Sequence, residues 1–378
     1  MKIAFTGGGT GGHFFPIIAV AEEVNKLVEE RKLVNIKLYY LSSEPYDERA
    51  LFENKIEFVR IHSGKWRRYF SLLNFIDLFR IAFGTIGAFI KLYFIFPDVI
   101  FSKGGYLSVP VVLAARVLGI PVFAHESDSL PGRATLLAAR SARRVALSYA
   151  EAAEAFPPER QGRLLVTGNP IRNILKYPLT EGAREFLNLE PDVPVIFITG
   201  GSQGAQALND VVVDALPELV KRYAVIHQVG KANLEAVRQR SKIVLENSPQ
   251  ANRYKLFDFL NPSAMRMVAG VAMVIISRAG SFIFEIAEWG VPAILVPIPE
   301  PISHDQRTNA FTYARSGAAM VIEQGNLLTS VLVSEIDRLA TNPKLRETMV
   351  AAAKGFAKPE AARVIAVELL NIGLTHEK

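Results

Sequence analysis

Two glycine runs constrain this chain more than any other feature of it. The first, Gly7-Gly8-Gly9-Thr10-Gly11-Gly12, follows the short apolar stretch Lys2–Thr6. It leads into Phe14–Glu30, where Ile17, Ile18, Val20, Ala21, Val24 and Leu27 recur at helical spacing. The second, Gly200-Gly201-Ser202-Gln203-Gly204, follows Val193–Thr199 and leads into a helix from Ala205. Glycine admits positive φ and lets the backbone close on a ligand. The helix behind it offers unpaired N–H groups and the positive end of its dipole. Phosphate is the guest expected at each loop.

The segments between these loops alternate in the same way. Strands are expected at Ile36–Leu41, Val99–Phe101, Val122–His125, Arg144–Leu147 and Leu164–Thr167. They are expected again at Ala224–Gln228, Tyr254–Phe257, Met273–Ser277 and Ala293–Val296, with helical stretches between. Such alternation specifies an α/β fold with parallel sheets. A length of 378 residues suits two domains. The plan restarts after the turn Thr167-Gly168-Asn169-Pro170, so the expected architecture is two facing Rossmann-like domains divided near residue 170. The last helix, about Glu360–Leu374, is grouped with the first half, although its apolar pattern suits either.

Gly7, Gly9 and Gly12 also fit the dinucleotide fingerprint, which requires an acidic residue about 20 positions on, at the end of the second strand. Lys32 occupies that spacing, and Glu44 lies past the strand. A nicotinamide dehydrogenase is disfavoured. The chain has no cysteine, which excludes disulfides, thiolate metal sites and thiol nucleophiles. No signal peptide and no spanning helix are expected, because the most apolar window, Ile81–Phe96, contains Lys91. The net charge of +6 suits phosphorylated substrates or anionic lipid, and equally a plain basic surface.

A basic and aromatic cluster, Lys65, Trp66, Arg67, Arg68 and Phe70, runs into Leu72, Leu73, Phe75, Ile76, Phe79 and Arg80. The pattern fits either an interfacial helix on an anionic membrane or a core helix with a solvated basic rim.

Seven short motifs occur in one order: Gly8-Gly9-Thr10-Gly11-Gly12-His13, Lys103-Gly104-Gly105-Tyr106, His125-Glu126, Gly168-Asn169-Pro170-Ile171-Arg172, Gly200-Gly201-Ser202-Gln203-Gly204, Arg278-Ala279-Gly280 and Asp305-Gln306. In order and spacing the chain resembles the MurG family of peptidoglycan N-acetylglucosaminyltransferases, which have the GT-B architecture. The resemblance implies transfer of N-acetylglucosamine from UDP-N-acetylglucosamine to the 4-hydroxyl of the muramyl sugar of lipid I. The anomeric carbon is inverted, no bound metal or other cofactor is needed, and lipid II is the product. It further implies a peripheral protein on the cytoplasmic face of the plasma membrane. Other cell-wall synthesis proteins are candidate partners, and nucleic acid is not.

Carried over residue by residue, the resemblance implies that the second domain holds the donor. Ser202 would bind phosphate, backbone groups of Leu260 the uracil edge, Glu285 the ribose hydroxyls, and Gln306 and Asn309 the sugar. Arg172 would supply the cation for the leaving diphosphate, which fits the absence of any Asp-x-Asp motif. The first loop would face the lipid diphosphate, with Thr10, Gly11 and Gly12 also contacting the sugar nucleotide. For the base that takes the acceptor proton, His13 at the end of the first loop and Glu126 at a strand end are both candidates. Two departures stand out. Ser127-Asp128 occupies a place where the family usually has Gln-Asn, which leaves Asp128 to contact either donor or acceptor. The segment Ser281–Phe284 is one residue short of the family pattern. Two competing readings remain: a transferase of this fold with another lipid or natural-product acceptor, and an inactive nucleotide-sugar sensor or membrane scaffold.

Overall fold

A computed structural model describes residues 1–64, 73–201, 204–300 and 304–376, with side chains left out for 73–79 and 304. The chain divides into two compact units, Met1–Arg172 with Lys358–Lys378, and Asn173–Ala357.

In the first unit the elements are β1 (Lys2–Thr6), α1 (Gly11–Glu30), β2 (Lys37–Ser42), α2 (Glu48–Glu53), β3 (Ile56–Arg60), α3 (Leu73–Ile95), β4 (Val99–Ser102), α4 (Ser108–Leu118), β5 (Val122–Glu126), α5 (Arg133–Ala139), β6 (Arg144–Leu147) and β7 (Leu164–Val166). The sheet is parallel, in the order β3-β2-β1-β4-β5-β6-β7. A parallel sheet is covered on both faces, so its strands read as unbroken apolar runs. Two buried clusters carry this out. Phe5, Phe14, Ile17 and Tyr40 lie in one, and Ala4, Leu41, Val111 and Leu147 in the other.

The second unit contains α6 (Ala183–Phe186), β8 (Val195–Thr199), α7 (Gln206–Leu219), β9 (Ala224–Gln228), α8 (Leu234–Val244), β10 (Tyr254–Phe257), α9 (Pro262–Val271), β11 (Ala272–Ser277), α10 (Phe282–Trp289), β12 (Ala293–Leu295), α11 (His304–Arg315), β13 (Ala319–Val321), α12 (Thr329–Ala340) and α13 (Pro343–Phe356). Its sheet runs β10-β9-β8-β11-β12-β13, again all parallel. The last helix, α14 (Ala361–His376), packs in the first unit. Its Ile365 and Leu369 join the apolar cluster around α1. Arg363 reaches Glu30 of α1 at 2.8 Å.

Three differences from the sequence reading have plain causes. Helix α1 begins at Gly11, three residues before the expected start at Phe14, because glycines join its first turn. Strand β3 lies outside the expected strands: it is an edge strand in which Ile56 and Val59 alone are buried. Strand β13 was missed because it has three half-buried residues. Among the described residues no helix is long and apolar enough to cross a membrane.

Candidate active site

In an open parallel sheet, ligands bind at the carboxyl ends of the strands where the strand order reverses. In the first unit that point lies between β1 and β4, and both strands end there in glycine loops, Gly7–Gly12 and Gly104-Gly105. In the second unit it lies between β8 and β11, which end in Gly200–Gly204 and Arg278-Ala279-Gly280. Topology alone therefore brings two of the seven motifs to the switch point of each sheet.

The first loop is pinned from below. Tyr40 donates its hydroxyl to the Gly7 carbonyl at 2.7 Å, and Thr6 Oγ1 donates to Leu41 O at 3.1 Å. Gly105 adopts φ +76°, and a Cβ there would stand 3.2 Å from the Gly8 carbonyl and 3.6 Å from His13 Nε2. Only glycine lets the two loops and the imidazole approach so closely. Thr10 precedes α1 in extended conformation, and its side chain does not cap the helix. Instead Thr10 Oγ1 lies 3.0 Å from His13 Nδ1. In the tautomer in which Nδ1–H donates to Thr10, Nε2 carries the lone pair. Burial, assisted by the charge of Lys103, lowers the His13 pKa to about 4, so the ring is neutral at pH 7.

Helices α2, α9 and α13 are each capped by an Asp or Asn side chain, from Asp47, Asn261 and Asn342. Helices α1 and α7 have no such cap and no acidic residue in the first turn. Their leading N–H groups remain available to an anion.

The strand end after β5 carries Glu126, which is buried. Its Oε1 accepts from Asp128 N–H at 3.0 Å and its Oε2 from Gly132 N–H at 2.9 Å. Both carboxylate oxygens thus shape the loop that contains Asp128. His125, fully buried, faces the Gly168 carbonyl through Nε2 at 3.1 Å, and burial holds its pKa well below the ordinary value. Arg172 lies with this unit: its guanidinium sits 3.9 Å above the Phe15 ring in the first turn of α1.

In the second unit a buried relay that the sequence did not disclose sets two loops. Thr199 Oγ1 accepts from Gly201 N–H at 3.0 Å and from Gln228 Nε2 at 3.1 Å. Gln228 Oε1 accepts from Leu260 N–H at 3.0 Å. The amide of Leu260 is therefore engaged. Gln306 Oε1 accepts from Ile298 N–H at 3.2 Å. Asn309 is buried and donates to Ala279 O at 3.2 Å, which gives it a part in shaping the loop after β11. Arg278 is a buried strut, with Nη1 on the Val296 and Pro297 carbonyls and Nη2 on Gln324 Oε1. Glu285 stands in the first turn of α10.

The residues read from the sequence as one nucleotide-sugar set thus fall into two groups. Thr10, Gly11, Gly12, Asp128 and Arg172 belong to the first unit, while Leu260, Glu285, Gln306 and Asn309 belong to the second. Ser202 lies outside the described residues, as do Lys65, Trp66, Arg67, Arg68, Phe70 and Leu72. For Leu73, Phe75, Ile76 and Phe79 the backbone is helical. Among the described residues no three His, Asp or Glu side chains are placed to hold a metal ion. A cavity lined by Arg116, Ser141, Arg143, Arg163 and His376 opens at the amino ends of β5, β6 and β7 and contains none of these residues.

Residues 3–147 match the glycosyltransferase family 28 N-terminal domain, and residues 195–365 match the glycosyltransferase family 28 C-terminal domain. A relative from Treponema denticola, named UDP-N-acetylglucosamine–N-acetylmuramyl-(pentapeptide) pyrophosphoryl-undecaprenol N-acetylglucosamine transferase, is 36% identical and covers 96% of each chain. The chain belongs to glycosyltransferase family 28. A Bacillus cereus family member with the same name, numbered 2, is 35% identical over 96% of this chain and 97% of its own. The crystal structure of Acinetobacter baumannii MurG superposes with a TM-score of 0.71 at 26% identity, covering 98% of this chain and 99% of that one. A UDP-GlcNAc 2-epimerase from Neisseria meningitidis, at 15% identity and a TM-score of 0.69, shares the fold.

Proposed function

We propose that the chain transfers N-acetylglucosamine from UDP-N-acetylglucosamine to the 4-hydroxyl of the muramyl sugar of lipid I, giving lipid II. The observation that carries this reading is the full-length identity of 35–36% to transferases named for that donor and acceptor. It is joined to a glycine loop with an uncapped helix at the switch point of each sheet.

The chemistry follows from the groups at hand. The acceptor oxygen attacks the anomeric carbon as the bond from that carbon to the UDP phosphate breaks. Attack from the face opposite the leaving group inverts the centre. The hydroxyl proton passes to His13, whose ring is neutral and whose Nε2 carries the lone pair in the tautomer that donates Nδ1–H to Thr10. Glu126 is the weaker candidate, because two backbone amides already occupy its carboxylate. Charge building on the leaving diphosphate is met by the amides of Gly200–Gly204 and the start of α7, with no metal required. Arg172, seated on Phe15, adds a fixed cation for a phosphate, and Glu285, Gln306 and Asn309 line the donor side. Incubation with labelled UDP-N-acetylglucosamine and a vesicle-borne lipid I analogue is expected to move label to the lipid with one UDP released per transfer. It should do so in the presence of a chelator. Donor binding without transfer, or transfer only to another lipid, would sink the reading.

The same reading includes peripheral attachment to the cytoplasmic face of the plasma membrane through α3. Phe83, Ile86, Ile90, Tyr93 and Phe94 project from one side of this helix, with Phe83 72% and Phe94 79% exposed. Gly84, Ala88 and Leu92 are buried on the other side. Arg80 and Lys91, both exposed, lie on the same helix. A contiguous exposed apolar stripe beside cations fits an anionic bilayer. Replacing Phe83 and Phe94 together by Asp is expected to weaken co-sedimentation with phosphatidylglycerol vesicles by about 100-fold, since each buried aromatic ring contributes roughly 1.5–3 kcal/mol. Equal binding of wild type to anionic and neutral vesicles, or no loss in the variant, would count against it.

A further inference from the structure

Lysine is among the residues least often fully buried, because its ammonium loses the solvation of water. Lys103 is 2% exposed. Its backbone N–H continues the sheet by donating to Thr6 O at 2.8 Å, and its Cβ packs directly beneath Gly7. Its Nζ donates to Ser127 Oγ. The titratable groups facing it are His13 from α1, His125 and Glu126 from β5, and Asp128 from the loop that follows.

We propose that Lys103 is a positioning residue for the acceptor half of the reaction, a buried cation that fastens the Ser127-Asp128 loop to the first glycine loop and presents a fixed positive charge beneath His13. The proposal rests on the reading of His13 as the proton acceptor, and its structural part stands without it. Being sealed below the loop, Lys103 acts through neighbours and does not touch substrate. Burial pulls its pKa down to about 8, opposed by Glu126 and Asp128, so it remains charged at neutral pH. Its charge helps to hold the imidazole neutral. Without it, an anionic acceptor beside the ring would more readily convert it to an imidazolium, which cannot take a proton. The Ser127 contact fixes the loop in which Glu126 accepts from Asp128 and Gly132.

The test uses the full chain with isotope-labelled histidine, with His13 assigned by comparison with His13→Gln. In Lys103→Met the His13 ring is expected to titrate at least about one pH unit higher than in wild type. The acid limb of kcat should move up with it. Ser127→Ala, which keeps the charge and removes its anchor, is expected to raise the acceptor KM about tenfold and leave the donor KM unchanged. An unmoved His13 titration in Lys103→Met overturns the proposal. Should that variant not fold, Ser127→Ala with both KM values within about twofold of wild type overturns it instead. A shifted titration with unchanged kcat keeps the role of Lys103 and removes His13 from the chemistry.

Discussion

His13→Ala is expected to lower kcat by about 10²- to 10⁴-fold, the range that a positioned general base contributes, while UDP affinity stays near that of wild type. The Gly200–Gly204 loop, to which the proposed function assigns the donor, lies in the other unit, so removing an imidazole from the first should leave it intact. The pH profile carries more information than the loss itself. A base works unprotonated. With its pKa lowered to about 4, chiefly by burial and then by Lys103, His13 is available throughout the neutral range in the free protein. The acid limb of kcat/KM, which reports the free protein, should therefore lie near pH 4 where an ordinary imidazole would place it near 6.5. An anionic acceptor beside the ring favours its charged form, so the limb of kcat should lie at higher pH than that of kcat/KM. Stability follows the same sign. A histidine whose folded pKa lies below its unfolded value stabilises fully above the unfolded value, about 6.5. It loses that contribution as pH falls through the folded value. His13, His125 and His227, the last lowered to about 3 by burial, all act in this direction. Acid melts of His13→Ala should consequently be less steep below pH 6.5 than those of wild type. A variant that keeps more than about a tenth of the wild-type kcat would remove His13 from the role of base.

The two loops were legible in the sequence because glycine is informative by exclusion. A run of glycines between an apolar strand and an amphipathic helix has few other uses, and parallel order follows from the alternation around it. What lay hidden was polar burial. Nothing in Val225-Ile226-His227-Gln228 announces that Gln228 will bridge Thr199 and Leu260, since that contact depends on two strands lying side by side. Lys103 stands out in the sequence only as the first residue of a glycine motif, and the fold buries it beneath Gly7. Asn309 and Gln306 were read as groups facing a sugar, whereas in the fold each also braces a backbone group of its own unit. For Gln228 and Asn309 chain separation explains the difference: local signals disclose elements, and contacts across about 30 residues depend on topology. Arg172 shows the same limit, for only the fold reveals the aromatic ring on which it rests.

Gly204→Ala should be the most damaging single-methyl change in the loop after β8, destabilising the second unit by about 2–5 kcal/mol. Gly204 adopts φ +76°, which costs a residue with a Cβ roughly 1–2 kcal/mol. The added carbon would also stand 2.0 Å from the Val229 carbonyl oxygen and 2.5 Å from Asn233 Nδ2. That carbonyl has little room to retreat. It accepts from Asn209 Nδ2 at 3.2 Å and from Asn233 Nδ2 at 2.9 Å, and the Val229 N–H is held by Phe257 O at 3.0 Å. The clash must be relieved by moving the loop, at an overpacking cost of about 1–3 kcal/mol. Gly201→Ala is the control. Gly201 has φ +84° but nothing within 4 Å of an added Cβ, so only the backbone cost applies. At roughly 2–4 °C per kcal/mol for a domain of this size, the two variants should melt well apart. A displaced Gly204 also pulls on Gly201, whose carbonyl accepts the Gly204 N–H at 3.1 Å. UDP titration should accordingly show affinity falling about tenfold or more in Gly204→Ala, the cost of one or two charge-assisted hydrogen bonds, and much less in Gly201→Ala. Equal melting temperatures with equal UDP affinity in the two variants would count against the proposed role of the loop after β8 in holding the donor diphosphate.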